Sequence, residues 1–296
     1  MMNIGCFALV EPFSPMKRQF KAIAEMGIQY ADVTDNHTGA SLGVEFDFAE
    51  TISLASRPGK IKDMLAETGL TLSTFCAHGN LLDPASPDVY GTNEIIQAIK
   101  LASLLGIKYV ITTEGHSKTR FAAKLTAKER IFTIKEKLQS PIEWADELGV
   151  ELILEPHGIV TDNVQSMGDL LNELGDQVGI CLDTGNSWLG GANPVVYVTT
   201  FGNRIKHVHW KDLGEEWVAK RGTIYGCGMG NIKLGEGQID VKGVFDALKA
   251  INYEGGTTME IFGPATVMAS AQILQDWDID GTFVVPTLAA KKAVLV

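Results

Sequence analysis

Four short apolar runs in the second half of the chain each end in a side chain that can bind a metal: Glu155 in ELILEPHG, Asp183 in VGICLDTGN, His209 in IKHVHWKD and Glu260 in TTMEIFG. Three carboxylates and one imidazole suit a single divalent ion. The oxygen donors favour Mn²⁺ or Mg²⁺, with Mn²⁺ the expected choice, and the histidine keeps Co²⁺ and Zn²⁺ open. Residues two apart on a strand share a face, so His207 and His209 point the same way, and Ile205, Val208 and Trp210 suit the opposite surface against helices. His209 then reaches the metal, while His207 orients a substrate hydroxyl or supports the ligand from behind. Glu155 and His157 obey the same rule across Pro156, which places a proton carrier beside a Lewis acid. An imidazole with an ordinary pKa of about 6.5 exchanges protons near neutrality. His78 in CAHGN and Glu114 and His116 in TTEGHS end on the same rim as candidates for substrate contact. Trp188 and Trp210 offer flat faces for a sugar or for packing.

A strand must deliver each of these groups, and the chain's pattern supplies the strands. Short runs rich in β-branched residues alternate with helical patterns in about eight βα units. The expected strands are 3–8, 30–34, 71–76, 108–113, 151–155, 178–183, 205–210 and 257–261. Gly or Asn marks each of the last five helix-to-strand turns. Such units close most economically into a (β/α)8 TIM barrel, an α/β fold whose sites lie at the C-terminal ends of the strands. A doubly wound sheet would need a Gly-rich turn after the first strand, and FALVEPFSP is not one. The barrel is expected as a single catalytic domain over 1–276. Two segments exceed it: the Gly-rich loop Leu213–Gly237 after strand seven, read as a lid or specificity loop, and a C-terminal extension, 277–296. The apolar VVPTLAAKKAVLV of that extension needs either the barrel underside or another subunit. An oligomer contact is expected, a homo-oligomer first and a hetero-oligomer second.

The composition of the 296 residues, 45% hydrophobic and 21% charged, accommodates one such barrel. A formal net charge of −11 opposes a nucleic-acid partner, which calls for a basic face, and leaves a small molecule as the expected ligand. The start, MMNIGCFALVEPFSP, lacks the basic region of a secretory leader, and no apolar run approaches a membrane span, so a cytoplasmic protein with no membrane partner is expected. Cys6, Cys76, Cys181 and Cys227 show no CxxC spacing and read as small hydrophobes rather than disulfides.

Taken together, ELILEPHG, GICLDTGN, IKHVHWKD, GEGQIDVKGVFDALKAINYEGG and TMEIFG resemble the xylose isomerase-like barrel superfamily. The nearest group is the sugar phosphate isomerase/epimerase family, with its tagatose 3-epimerase-like and inosose dehydratase-like enzymes. The resemblance runs to about Gly263. It implies one divalent metal on Glu155, Asp183, His209 and Glu260, with Glu155 and Glu260 also moving the proton on opposite faces of a metal-stabilised enediolate. Two departures bear on substrate. The ketohexose epimerases carry a substrate-binding histidine where this chain has Asn186, the candidate substrate contact at that place, and an arginine where it has Glu215 and Glu216, with Lys211 nearby as a candidate substrate-binding cation. Lys211 either replaces that cation or bridges to Asp212. Asn186 also removes a ligand that the three-zinc apurinic-site endonucleases of the superfamily need.

The leading reading is therefore a metal-dependent sugar isomerase or epimerase. The second is a lyase that eliminates a β-substituent from a 3-keto sugar or inosose, of dehydratase or C-glycoside deglycosidase type, with His157 as acid or base. The third is a non-catalytic binding subunit, against which an intact four-ligand set argues.

Overall fold

The structure, a computed structural model, describes residues 1–11, 14–34, 56–79, 81–82, 90–115, 121–230 and 232–285. Eight parallel strands, β1 (Asn3–Phe7), β2 (Tyr30–Thr34), β3 (Thr71–Cys76), β4 (Tyr109–Thr112), β5 (Glu151–Leu154), β6 (Val178–Asp183), β7 (Ile205–Trp210) and β8 (Gly256–Met259), close into a barrel in chain order. The closing pair sets Ile4 beside Thr257 and Cys6 beside Met259. β5 and β8 end one and two residues earlier than the apolar pattern predicts. Glu155 and Glu260 nevertheless keep one further rung of the ladder, their amides donating to Thr112 and Trp210 carbonyls at 3.0 and 3.1 Å. Each glutamate thus leaves the sheet with its backbone still fixed.

Both faces of each strand are buried, as a parallel barrel requires. Phe7, Cys76, Ile111, Ile153 and Cys181 form a small apolar cluster of their own, on the same strand parity as Asp183 and His209, and so inside the barrel. Their neighbours Cys6, Phe75, Val110, Leu152, Leu182 and Val208 join the larger core shared with the helices. The helix Val164–Leu174 shows how that layer is written: Asn163 caps it, and Met167, Leu170, Leu171 and Leu174 are its buried face. The helix Ala127–Glu147 starts on a Thr126–Glu129 capping box. All five helix-to-strand turns marked in the sequence, at Gly106, Gly149, Gly175, Gly202 and Asn252, take positive φ.

The first part of the extension lies against the barrel. The helix Pro264–Trp277 runs on past 276, and Asp278 then accepts the amides of Phe283 and Val284 at 2.9 and 2.8 Å. The Met2 amide donates to the Phe283 carbonyl at 2.7 Å and the Val285 amide to that of Met2 at 3.0 Å. Phe283 also packs edge-on against Phe245, with ring centroids 5.4 Å apart. Residues up to Val285 are therefore a strap across the underside of the barrel, continuous with it. Residues 286–296, most of the segment expected at an oligomer contact, lie outside the described residues. Among the described residues no helix is long and apolar enough to cross a membrane.

Candidate metal centre

The C-terminal ends of β5, β6, β7 and β8 bring Glu155, Asp183, His209 and Glu260 together, with one ligand atom from each lying within 4.8 Å of all the others. His209 Nδ1 is 2.9 Å from Glu155 Oε1 and 3.3 Å from Glu260 Oε2. Asp183 also caps the helix Thr184–Leu189, its Oδ1 accepting the amides of Gly185 and Asn186 at 2.7 and 2.8 Å. Its Oδ2 is left for the site. Lys211, fully buried, brings its Nζ to 2.9 Å from Asp183 Oδ2 and 3.1 Å from Glu260 Oε2. It does not bridge to Asp212, whose carboxylate instead accepts the amides of Leu213, Gly235, Gly237 and Ile239.

The lysine lies within ion-pair distance of those two oxygens, yet neither has a hydrogen-bond donor in good geometry. Buried oxygens without a donor are costly. Two of them converging with a third carboxylate and an imidazole nitrogen make a donor set that fits a divalent cation. Charge is balanced unevenly across the set. Burial pushes all three carboxyls up, but His209 outweighs it at Glu155, and Lys211 with His209 outweighs it at Glu260, so both are held below the ordinary range. At Asp183 burial prevails over Lys211, and its carboxyl lies above that range.

Behind His209 stands a residue the sequence reading missed. Asp32 on β2 is fully buried, and its Oδ2 accepts from His207 Nε2 at 2.8 Å and from His209 Nε2 at 3.0 Å. Burial pushes this carboxyl up, but the two imidazoles more than offset it and hold Asp32 ionised. A proton on His209 Nε2 satisfies this contact, and the ring then presents Nδ1 toward Glu155 and Glu260. His207 shares its Nε2 between Asp32 and Thr258, 2.8 and 3.0 Å away. That nitrogen is thereby committed inside the barrel.

His157 and His78 stand on the other side of Glu155. His78 Nε2 is 3.9 Å from Glu155 Oε2, and its ring centroid is 6.1 Å from that of His157. Enclosure lowers the His157 pKa, and the Glu155 charge offsets this only in part. The His157 amide donates to Thr161 Oγ1 at 2.9 Å, and Glu114 clasps the same loop by accepting the amides of Val160 and Thr161. Glu114 therefore shapes the rim through backbone contacts. His116 lies outside the described residues.

The loop after β7 forms the roof. Arg221 donates to the carbonyls of Trp188, Gly191 and Ala192 at 2.9, 3.1 and 3.0 Å. The Cys227 amide and thiol both reach Asn186 Oδ1, at 2.9 and 3.1 Å. Between these anchors Gly226, at φ 74°, lies on the His157 ring, where a Cβ would overlap Cε1 and Nε2. Two expected substrate contacts thus have partners inside the protein: the Asn186 amide oxygen holds the loop, and the Trp188 ring lies under the Arg221 guanidinium, 5.1 Å from its centroid.

Comparison with solved structures gives the same barrel at low identity. A D-tagatose 3-epimerase-like protein superposes with a TM-score of 0.72 at 21% identity, covering 95% of this chain and 98% of that one. An E. coli 3-keto-D-glucoside 4-epimerase gives 0.70 at 17% identity, covering 93% and 100%. The IOLI protein with a bound zinc atom gives 0.69 at 18%, covering 95% and 96%. Among curated sequences, inosose dehydratase of Clostridium tetani is 30% identical over 167 residues, 51% of this chain and 56% of that protein. The Lacticaseibacillus casei inosose dehydratase is 27% identical over 145 residues, 45% and 46%. The matched region spans about half the length of these relatives. The family model for the xylose isomerase-like TIM barrel covers residues 20–277, and this chain belongs to that family.

Proposed function

We propose that this protein is a divalent-metal-dependent sugar epimerase or isomerase that moves a proton next to a carbonyl through an enediolate. One observation carries the reading: Glu155, Asp183, His209 and Glu260 converge within 4.8 Å at the strand ends, with Asp183 Oδ2 and Glu260 Oε2 ion-paired to Lys211 but outside hydrogen-bond geometry. A divalent ion on these four residues, Mn²⁺ for preference, supplies Lewis acidity to a carbonyl and its neighbouring hydroxyl, which makes the adjacent proton easier to remove. Glu155 and Glu260 enter from strands β5 and β8, on different sides of the barrel mouth, as a base and an acid on two faces of one substrate must. His209, oriented by Asp32, and Asp183, fixed by its helix cap, keep their donor atoms in place. The roof from Arg221 to Cys227 shields the proton transfer from water. The epimerases among the solved neighbours support the same chemistry, and a small sugar or sugar derivative is the substrate class.

A second reading, elimination from a keto sugar or inosose, is favoured by His157. Its ring sits beside Glu155 and His78 under the roof, in a setting that keeps it neutral and able to take a proton. The curated relatives named inosose dehydratases point the same way. Incubating the Mn²⁺-loaded protein with a panel of ketoses, 3-keto-glycosides and inososes in D₂O separates the two. Deuterium at the carbon next to the carbonyl together with epimer formation supports the first reading. Loss of water or aglycone without epimers overturns it in favour of the second, and inertness toward the whole panel counts against both.

A further inference from the structure

The ligand cluster already contains a cation. Lys211 has no exposed surface, and its stem runs in a slot walled by glycines. A Cβ on Gly185 would come within 2.6 Å of Lys211 Cδ, and one on Gly230 within 3.1 Å of Cγ. The Nζ sits 2.9 Å from Asp183 Oδ2, 3.1 Å from Glu260 Oε2 and 3.4 Å from the Cys227 carbonyl oxygen. The first two belong to carboxylates that converge with Glu155 and His209, and neither oxygen has a partner in hydrogen-bond geometry. A slot this tight leaves the ammonium little room to withdraw. An ion using those oxygens therefore sits beside a positive charge in a dry site, where like charges repel strongly.

We propose that Lys211 is a positioning residue that competes with the metal: it holds Asp183 and Glu260 together before the ion binds, and it lowers the affinity for the ion by sharing their two inward oxygens. The proposal rests on the reading that the four-ligand cluster holds a divalent ion. Without the lysine, Asp183 and Glu260 would be buried like charges lacking their cation, and the metal-free protein would lose stability. With the lysine, the site is assembled in advance, and the ion must displace or tolerate a resident charge. A merely structural role has the opposite sign, because damage to the site weakens metal binding.

The test strips full-length wild type and Lys211→Met with chelator, then titrates each with Mn²⁺ calorimetrically and melts each with and without Mn²⁺. The methionine keeps the length of the stem and removes the charge. The Mn²⁺ Kd is expected to fall by at least about tenfold in Lys211→Met. The metal-free variant should melt below metal-free wild type, and Mn²⁺ should raise its Tm by more than it raises that of wild type. Lys211→Arg, which keeps the charge, should not bind Mn²⁺ more tightly than wild type. Should metal-free Lys211→Met fail to fold, Lys211→Gln takes its place and must show the same tightening. Unchanged or weaker Mn²⁺ binding by the neutral variant overturns the proposal and leaves the metal reading standing. Absence of Mn²⁺ binding by wild type overturns both.

Discussion

At the scale of single residues, the division of labour around Glu155 can be measured. Enclosure depresses the His157 pKa, so its proton-accepting form persists below the ordinary imidazole value of about 6.5. If His157 carries the proton, the acid limb of kcat/KM lies below pH ~6.5, and His157→Asn removes that limb along with most of the turnover. A limb well above 6.5, or near-normal turnover in His157→Asn, would return the proton to the glutamates, whereas Glu155→Gln should abolish activity under either reading. The stability sign is separate: as pH falls through the unfolded pKa, the unfolded chain takes up protons before the folded one, so this group's contribution shrinks toward acid. Asp32→Asn tests the support behind His209. It should weaken Mn²⁺ binding by roughly 10- to 100-fold, and a Kd equal to wild type would show that Asp32 does not set the ligand's tautomer. The convergence of the four candidate ligands was legible in the sequence because each ends an apolar run. Asp32 was not, because nothing in the spacing links a β2 residue to His207, 175 positions away.

At the scale of elements, the roof is where sequence and structure part company most. The Gly-rich stretch after β7 announced a loop over the strand ends. Its anchors did not show, because they are the Asn186 side chain and backbone carbonyls in and just after the helix Thr184–Leu189, whose six residues are too few for a periodic pattern to register. The Asp183 cap was the available signal, an Asp directly before TGNS. The backbone of Gly226 rests on the His157 ring, so Gly226→Ala must push the roof outward as well as strain a positive φ. KM should rise by roughly an order of magnitude while Tm changes little, as expected when a surface loop rather than the core is disturbed. Arg221→Ala removes three carbonyl contacts and should open the same loop to limited proteolysis. Should the loop resist cleavage in that variant, Arg221 is not what holds it. Asp212, with four backbone amides on one carboxylate, anchors the far end, and Asp212→Ala should cost about 2–4 kcal/mol because those donors are left without it.

At the scale of the whole molecule, the barrel is closed at both ends by different physics. At the top, Glu155, Asp183, His209 and Glu260 tie four adjacent strands, β5 to β8, into one charged cluster. At the underside, the strap Phe283–Val285 pairs with Met2 and packs Phe283 on Phe245. The alternation of strand runs with helical patterns made the barrel readable from sequence. The strap was not, because an apolar tail reads the same whether it meets the barrel or another subunit. The two ends are separated by the length of a strand, roughly 16 Å for five residues, beyond the range at which perturbations usually couple. Mn²⁺ at about a hundred times its Kd should stabilise the folded state by about 2.7 kcal/mol, a rise in Tm of roughly 4 °C for a chain of this size. Truncation after Ile279 removes the strap and its apolar contacts and should lower Tm by at least several degrees. Because the sites lie at opposite ends, that loss should be the same with and without Mn²⁺, as calorimetry of the four states would show. A metal-induced shift that vanishes in the truncated chain would mean instead that closure of the underside is transmitted to the strand ends, and that the barrel does not respond as a rigid frame.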